Sequence, residues 1–84
     1  MVDYKEGSEM NIVVYHGNNC NACHEEMEYL KYNNVSFTPK NVHDNADARA
    51  ELIALGSKTI PTTVIDGEVI IGFEIERIKE LVGL

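Results

Sequence analysis

Tryptophan is absent from this 84-residue chain, proline occurs twice and cysteine twice. No apolar run is long: residues 12–15 and 69–71 are typical, against the roughly 20 residues that a membrane-crossing helix needs. Two cysteines cannot staple a small secreted fold in the way that four or six do. Basic side chains are also scarce, with 7 Lys and Arg against 14 Asp and Glu and a formal net charge of -7. No Lys/Arg cluster offsets this locally, so the surface repels phosphate backbones and anionic lipid, which argues against nucleic-acid and membrane partners. Residues 1–10 are acidic and have no apolar centre, so they do not read as a secretory signal. The expectation is a cytoplasmic location, and the acidic surface points to a monomer.

What the chain does have is a globular balance, with 44% hydrophobic and 25% charged residues. That composition excludes disorder, collagen and coiled coil as whole-chain descriptions. The length suits one domain, and a chain this small buries only about 60–65% of its unfolded surface. Residues 1–10 are polar and aperiodic and read as a loose arm. Residues 11–84 read as the domain.

Within it, residues 11–15 (Asn-Ile-Val-Val-Tyr) form a short β-branched run followed by His16-Gly17-Asn18-Asn19, a buried strand and its turn. Residues 20–32 follow as a helix in which Cys23, Met27 and Leu30 share a face. His24, Glu25 and Glu26 read as its solvated first turn, Lys31 suits the last, and Asn33-Asn34 ends it. Residues 35–41 alternate like a strand, and Pro39 removes a ladder donor, which makes that strand an edge. Asp44 or Asn45 caps a helix reaching about Leu55, with Ala48, Leu52 and Leu55 as its stripe and Gly56 as its stop. Residues 62–65 and 68–71 flank Asp66-Gly67, a strong hairpin signal. Residues 74–82 close the chain as an amphipathic helix through Ile75, Ile78, Leu81 and Val82. The order β-α-β-α-β-β-α predicts a four-stranded mixed sheet, with a right-handed parallel crossover at its start, inside a three-layer α/β/α sandwich. Phe37 and Phe73 are assigned to the core, Phe73 with a second option of lining a substrate groove. Tyr15 is either a core aromatic or a flank of the site that follows it.

Chemistry is concentrated in Cys20-Asn21-Ala22-Cys23, a C-x-x-C that opens the first helix. The first turn of a helix offers unpaired N–H groups and the positive end of the macrodipole. A thiolate at Cys20 is stabilised there, which lowers its pKa below the free value of about 8.5. Only the thiolate attacks disulfides. Cys23 lies one turn on, where i, i+3 Cβ atoms are about 5–6 Å apart, and a small adjustment reaches the roughly 3.5–4.5 Å that a bridge needs. Cys20 is then the exposed attacking sulfur, and Cys23 on the apolar face resolves the mixed disulfide. The competing readings are inert core cysteines, or half of a zinc site completed from His16, His24 or His43. Position after a first strand favours redox chemistry. Asn18-Asn19 is read as turn chemistry ahead of a hydrogen bond to the thiolate.

Taken together, Val13-Val14-Tyr15 leading to Cys20-x-x-Cys23, Thr59-Ile60-Pro61, and residues 65–74 with the turn Ile71-Gly72-Phe73-Glu74 resemble the glutaredoxin family of the thioredoxin fold. The resemblance implies a thiol–disulfide oxidoreductase with Cys20 as nucleophile and Cys23 as resolving cysteine. It acts on protein or glutathione mixed disulfides and holds no bound cofactor, with glutathione as a candidate co-substrate. It implies that the Ile60–Pro61 bond is cis, so that the Ile60 backbone pairs with an incoming substrate strand. Lys58, Thr59, Ile60, Pro61, Gly72, Phe73 and Glu74 fall at substrate- or glutathione-binding positions, and ordinary surface charge remains the other reading of Lys58 and Glu74. Some members instead hold an iron–sulfur cluster with the first cysteine and glutathione, which is the alternative function. The chain departs from the family pattern at Asn21-Ala22, at Gly17 where a lysine is usual, at Ile71 in place of a glycine and at Glu74 in place of an aspartate. These departures weaken the case for glutathione and bring in a thioredoxin-reductase-type flavoprotein as the other candidate donor.

Overall fold

A computed structural model describes residues 10–84. Their elements are β1 (Ile12–His16), α1 (Asn21–Tyr32), β2 (Thr38–Asn41), α2 (Ala46–Ala54), β3 (Thr62–Ile65), β4 (Glu68–Ile71) and α3 (Ile75–Val82). The arm assigned to residues 1–10 lies outside the described residues except for Met10, which packs against the core rather than hanging free.

The four strands lie in the order β2-β1-β3-β4. The β1–β2 pair is parallel, and the β1–β3 and β3–β4 pairs are antiparallel. Alternation along β1 divides the core into two. Ile12 and Val14 join Leu30, Ile65, Ile70 and Ile78 on one face, which places α1 and α3 there. Tyr15 joins Val42, Ala48 and Leu52 on the other, which places α2 there. The result is the α/β/α sandwich with a mixed sheet.

Local chemistry sets most boundaries. Asn45 caps α2 by accepting the Ala48 N–H at 3.0 Å. Asn34 (φ 59°) and Gly56 (φ 86°) turn left-handed after α1 and α2, the usual way to leave a helix. Asp66 and Gly67 both have positive φ, as a two-residue hairpin turn matching the twist of its strands requires. Pro39 sits on the edge strand β2. That strand is shorter than the alternation at 35–41 predicts, because the Val35 N–H is spent on the Leu30 carbonyl at 2.8 Å as the chain leaves α1. No helix among the described residues is long and apolar enough to cross a membrane.

Two expectations are corrected. Phe73 is 40% exposed and outside both core clusters. It follows Gly72, whose left-handed turn (φ 92°) carries the chain off β4. Glu26 is not part of a solvated first turn. It is 0% exposed, on the same buried stripe as Cys23 and Leu30, while Met27, one residue on, is only partly buried. Its Oε2 accepts a hydrogen bond from the Thr63 hydroxyl on β3, and its Oε1 has no partner. A polarity-based reading sends a glutamate outward, but the helical stripe 23, 26, 30 turns this one inward.

Burial raises the Glu26 pKa above its ordinary 4.5, against the opposing Thr63 hydrogen bond. The folded state therefore keeps this proton after the unfolded chain has lost it. Ionisation costs stability, and the loss sets in as pH rises above about 4.5 and continues through the folded value. In urea unfolding between pH 4 and pH 8, the stability of the natural chain relative to Glu26→Gln is expected to fall as pH rises. Parallel pH profiles would contradict this burial.

Candidate functional site

The site is built where β1 ends and α1 begins. Cys20 is the N-cap of α1 in extended conformation (φ -114°, ψ 98°), and its Sγ accepts the Cys23 N–H at 3.1 Å. A cap position normally satisfies one of the orphan N–H groups of a first turn through a side-chain oxygen; here sulfur does so. Cys20 is partly exposed and Cys23 is 1% exposed. The two are joined in a disulfide with Cα atoms 5.3 Å apart, within the usual range. The pair can therefore cycle between dithiol and bridge, with its outer sulfur reachable and its inner one shielded. A cavity of about 400 Å³ opens over it, lined by His16, Asn18, Asn19, His24 and Asn41 among others. Burial pushes the His16 imidazole below its ordinary pKa, with Asp44 pulling weakly the other way.

The loop before Cys20 is held by the segment after β2. The Asn18 N–H donates to His43 Nδ1 at 2.8 Å, the Asn18 Nδ2 donates to Asp44 Oδ1 at 3.3 Å, and Asn41 Nδ2 donates to Asn18 Oδ1 at 3.1 Å. Asn19 sits at φ 56°. The asparagines thus serve the turn and not the sulfur. His43 anchors this turn, a role with no signature in its own sequence neighbourhood. Gly17 marks the contact from the other side. A Cβ there would lie 2.6 Å from His43 Cε1 and 2.8 Å from Ile60 Cδ1, so no larger residue fits without moving both.

The Ile60–Pro61 bond is cis, as the resemblance implies. Lys58-Thr59 just before it is fastened by a buried pair that sequence reasoning missed. Ser57 and Thr62 share a hydrogen bond of 2.7 Å, and both hydroxyls reach the Thr59 carbonyl, at 3.2 and 2.6 Å. Gly72 is brought to this segment by its N–H, which donates to the Pro61 carbonyl at 2.8 Å. Lys58 is exposed and faces a separate cavity of about 270 Å³ beside Ile60, His43 and Arg49. Phe73 and Glu74 are exposed, and neither lines the cavity over the cysteines. Tyr15 does not flank the site: its hydroxyl donates to Glu51 at 2.9 Å on the α2 face, where Lys40 also reaches Glu51 at 2.8 Å. Burial first, and Glu51 second, raise the Tyr15 pKa.

Comparison with known proteins bears on this arrangement. Residues 12–70 match the Glutaredoxin family model. The chain is 35% identical over 72 residues to an uncharacterized glutaredoxin-like 8.6 kDa protein in the rubredoxin operon of Clostridium pasteurianum, covering 84% of this chain and 96% of the relative. Among solved structures, the thioredoxin-like protein BC3987 is 42% identical with a TM-score of 0.82, over 84% of this chain and 99% of that one. The glutaredoxin-like NrdH-redoxin from Escherichia coli is 25% identical with a TM-score of 0.77, over 84% of this chain and 93% of that one. With the cysteine pair at the start of α1, the cis proline before β3 and a family match across most of the described fold, the chain belongs to the glutaredoxin family.

Proposed function

We propose that the protein is a thiol–disulfide oxidoreductase that reduces disulfides of protein partners. The observation that carries this reading is the bridged pair at the start of α1, with a reachable outer sulfur on the helix N-terminus and a buried partner one turn below. In the reduced protein the Cys20 thiolate attacks one sulfur of a substrate disulfide, and the first substrate thiolate leaves. Cys23 then attacks Cys20 Sγ in the mixed disulfide. The second substrate thiol departs, and two electrons have passed from the dithiol to the substrate. The backbone of half-buried Ile60, next to cis Pro61, is suited to aligning an extended substrate segment.

A thioredoxin-reductase-type flavoprotein is the donor best supported, ahead of glutathione. The lysine that family members place at Gly17 would have to displace the His43 and Ile60 side chains here, and Ile71 and Glu74 differ from the usual glutathione-holding turn. The NrdH-redoxin relative is itself described as having a thioredoxin-like activity profile. A cytoplasmic, monomeric carrier fits an acidic chain cycled by such a donor.

Insulin disulfide reduction driven by NADPH and thioredoxin reductase is expected to proceed faster than with glutathione and glutathione reductase. The reverse order would reassign the donor. Cys20→Ser is expected to abolish turnover with either donor, and Cys23→Ser to trap a mixed disulfide at Cys20. Full turnover by Cys20→Ser would overturn the reading itself. Installing the usual lysine, Gly17→Lys, is expected to destabilise the fold by about 1–3 kcal/mol through overpacking, and His43→Ala to recover part of that loss in urea unfolding.

A further inference from the structure

Glu26 is a costly residue to bury, and nothing in the fold explains its presence. It is 0% exposed, its Oε2 is held by Thr63, and its Oε1 is unpartnered. A buried polar atom left unpaired destabilises the fold, and a purely structural position on this stripe would take an apolar side chain. What distinguishes the position is its neighbour. Cys23, three residues earlier, is 1% exposed, and as a free thiol it has to lose a proton before it can attack. Positions i and i+3 on a helix have Cβ atoms about 5–6 Å apart. Helical side chains lean toward the N-terminus, so that of Glu26 covers the turn carrying Cys23. A carboxyl on a three-bond stem spans such a gap directly or through one water, the reach that proton transfer requires.

We propose that Glu26 is the proton relay of Cys23, accepting the thiol proton as Cys23 attacks the mixed disulfide and returning it when the bridge is reduced.

The inference rests on the dithiol reading above and deepens it. The step balances without any other reactant. With Cys20 already in a mixed disulfide, the Cys23 thiol passes its proton to the Glu26 carboxylate. The Cys23 thiolate then forms the Cys20–Cys23 bond as the substrate thiolate leaves. Glu26 keeps that proton until the bridge is reduced. When the donor reduces the bridge, the carboxylic acid protonates the departing Cys23 sulfur.

The surroundings suit this role. On α1 the titratable groups one turn away are Cys23 on the near side and Tyr29, partly buried against the same core, on the far side. From β3 comes Thr63, which does not titrate in this range. From β1 comes His16, on the same face as Val14 by strand alternation. From α3 the core on this side receives Ile78, Leu81 and Val82. Burial, the larger influence, raises the Glu26 pKa, the Thr63 hydrogen bond opposes it, and no charged side chain contributes. That brings the acid nearer to the thiol it serves, which makes the transfer less uphill. Thr63 tunes the relay, since its hydroxyl favours the carboxylate.

The test uses the full-length reduced protein and the chromogenic disulfide 5,5′-dithiobis(2-nitrobenzoate), followed by stopped flow from pH 5 to pH 9. Attack by Cys20 releases a first coloured thiolate. Attack by Cys23 on the resulting mixed disulfide releases the second. If the natural chain gives no first phase, the dithiol reading fails, whatever Glu26 does. If it gives both phases, the second reports the relay. Glu26→Gln is expected to slow the second phase at least tenfold at pH 7 and to remove the lower inflection of its pH profile. Thr63→Val keeps the carboxyl and loses its donor, so it is expected to move that inflection to higher pH. A second phase whose rate is unchanged in Glu26→Gln, or whose inflection stays in place in Thr63→Val, would overturn the proposal. So would a loss that follows His16→Asn and spares Glu26→Gln.

Discussion

A sulfur atom caps a helix in this protein, and the rest of the structure is arranged around that contact. The first turn of α1 presents N–H groups that need an acceptor, and Cys20 Sγ supplies one by accepting from Cys23 at 3.1 Å. A thiolate is a better acceptor than a thiol and also faces the positive end of the helix. The same backbone that requires a cap therefore favours the reactive form of the residue that provides it. Three supports keep Cys20 at this spot. The sheet delivers β1 into the loop, His43 holds the Asn18 amide at 2.8 Å, and Gly17 lets Ile60 and His43 close against the turn.

The two sulfurs differ in burial, and the proposed division of work between them rests on that difference. Both cysteines border the cavity above them, but Cys20 is partly exposed whereas Cys23 is 1% exposed. Exposure suits a nucleophile that has to meet a protein disulfide. Burial suits a resolving group that meets only Cys20 and is spared side reactions, but it also isolates the Cys23 proton from water. A buried carboxyl one turn below resolves that difficulty, at a cost in stability that grows as the medium becomes less acidic. Function and stability thus pull in opposite directions at Glu26.

Much of this was legible in the sequence, because the relevant signals are local. Asp66-Gly67 announces its hairpin through two left-handed residues, Asn45 its helix through a short acceptor side chain, and Pro39 its edge strand through a missing N–H. C-x-x-C at the end of a strand marks the site for the same reason. What escaped depends on contacts distant in sequence. Glu26 meets Thr63 across 37 positions, and His43 meets Asn18 across 25. Ser57 and Thr62 lie only five apart, yet they look like ordinary turn residues until the cis segment folds them together. Phe73 departs from its core assignment for a related reason: an aromatic beside a strand reads as inward until the direction of the turn at Gly72 is known.

The most direct measurement is the ionisation of Cys20 in the reduced protein, read from thiolate absorbance near 240 nm as a function of pH, with Cys23→Ser isolating the single sulfur. Titration clearly below the free-cysteine value of about 8.5 is the expected result. Titration at or above that value would contradict the claim that the start of α1 activates this sulfur.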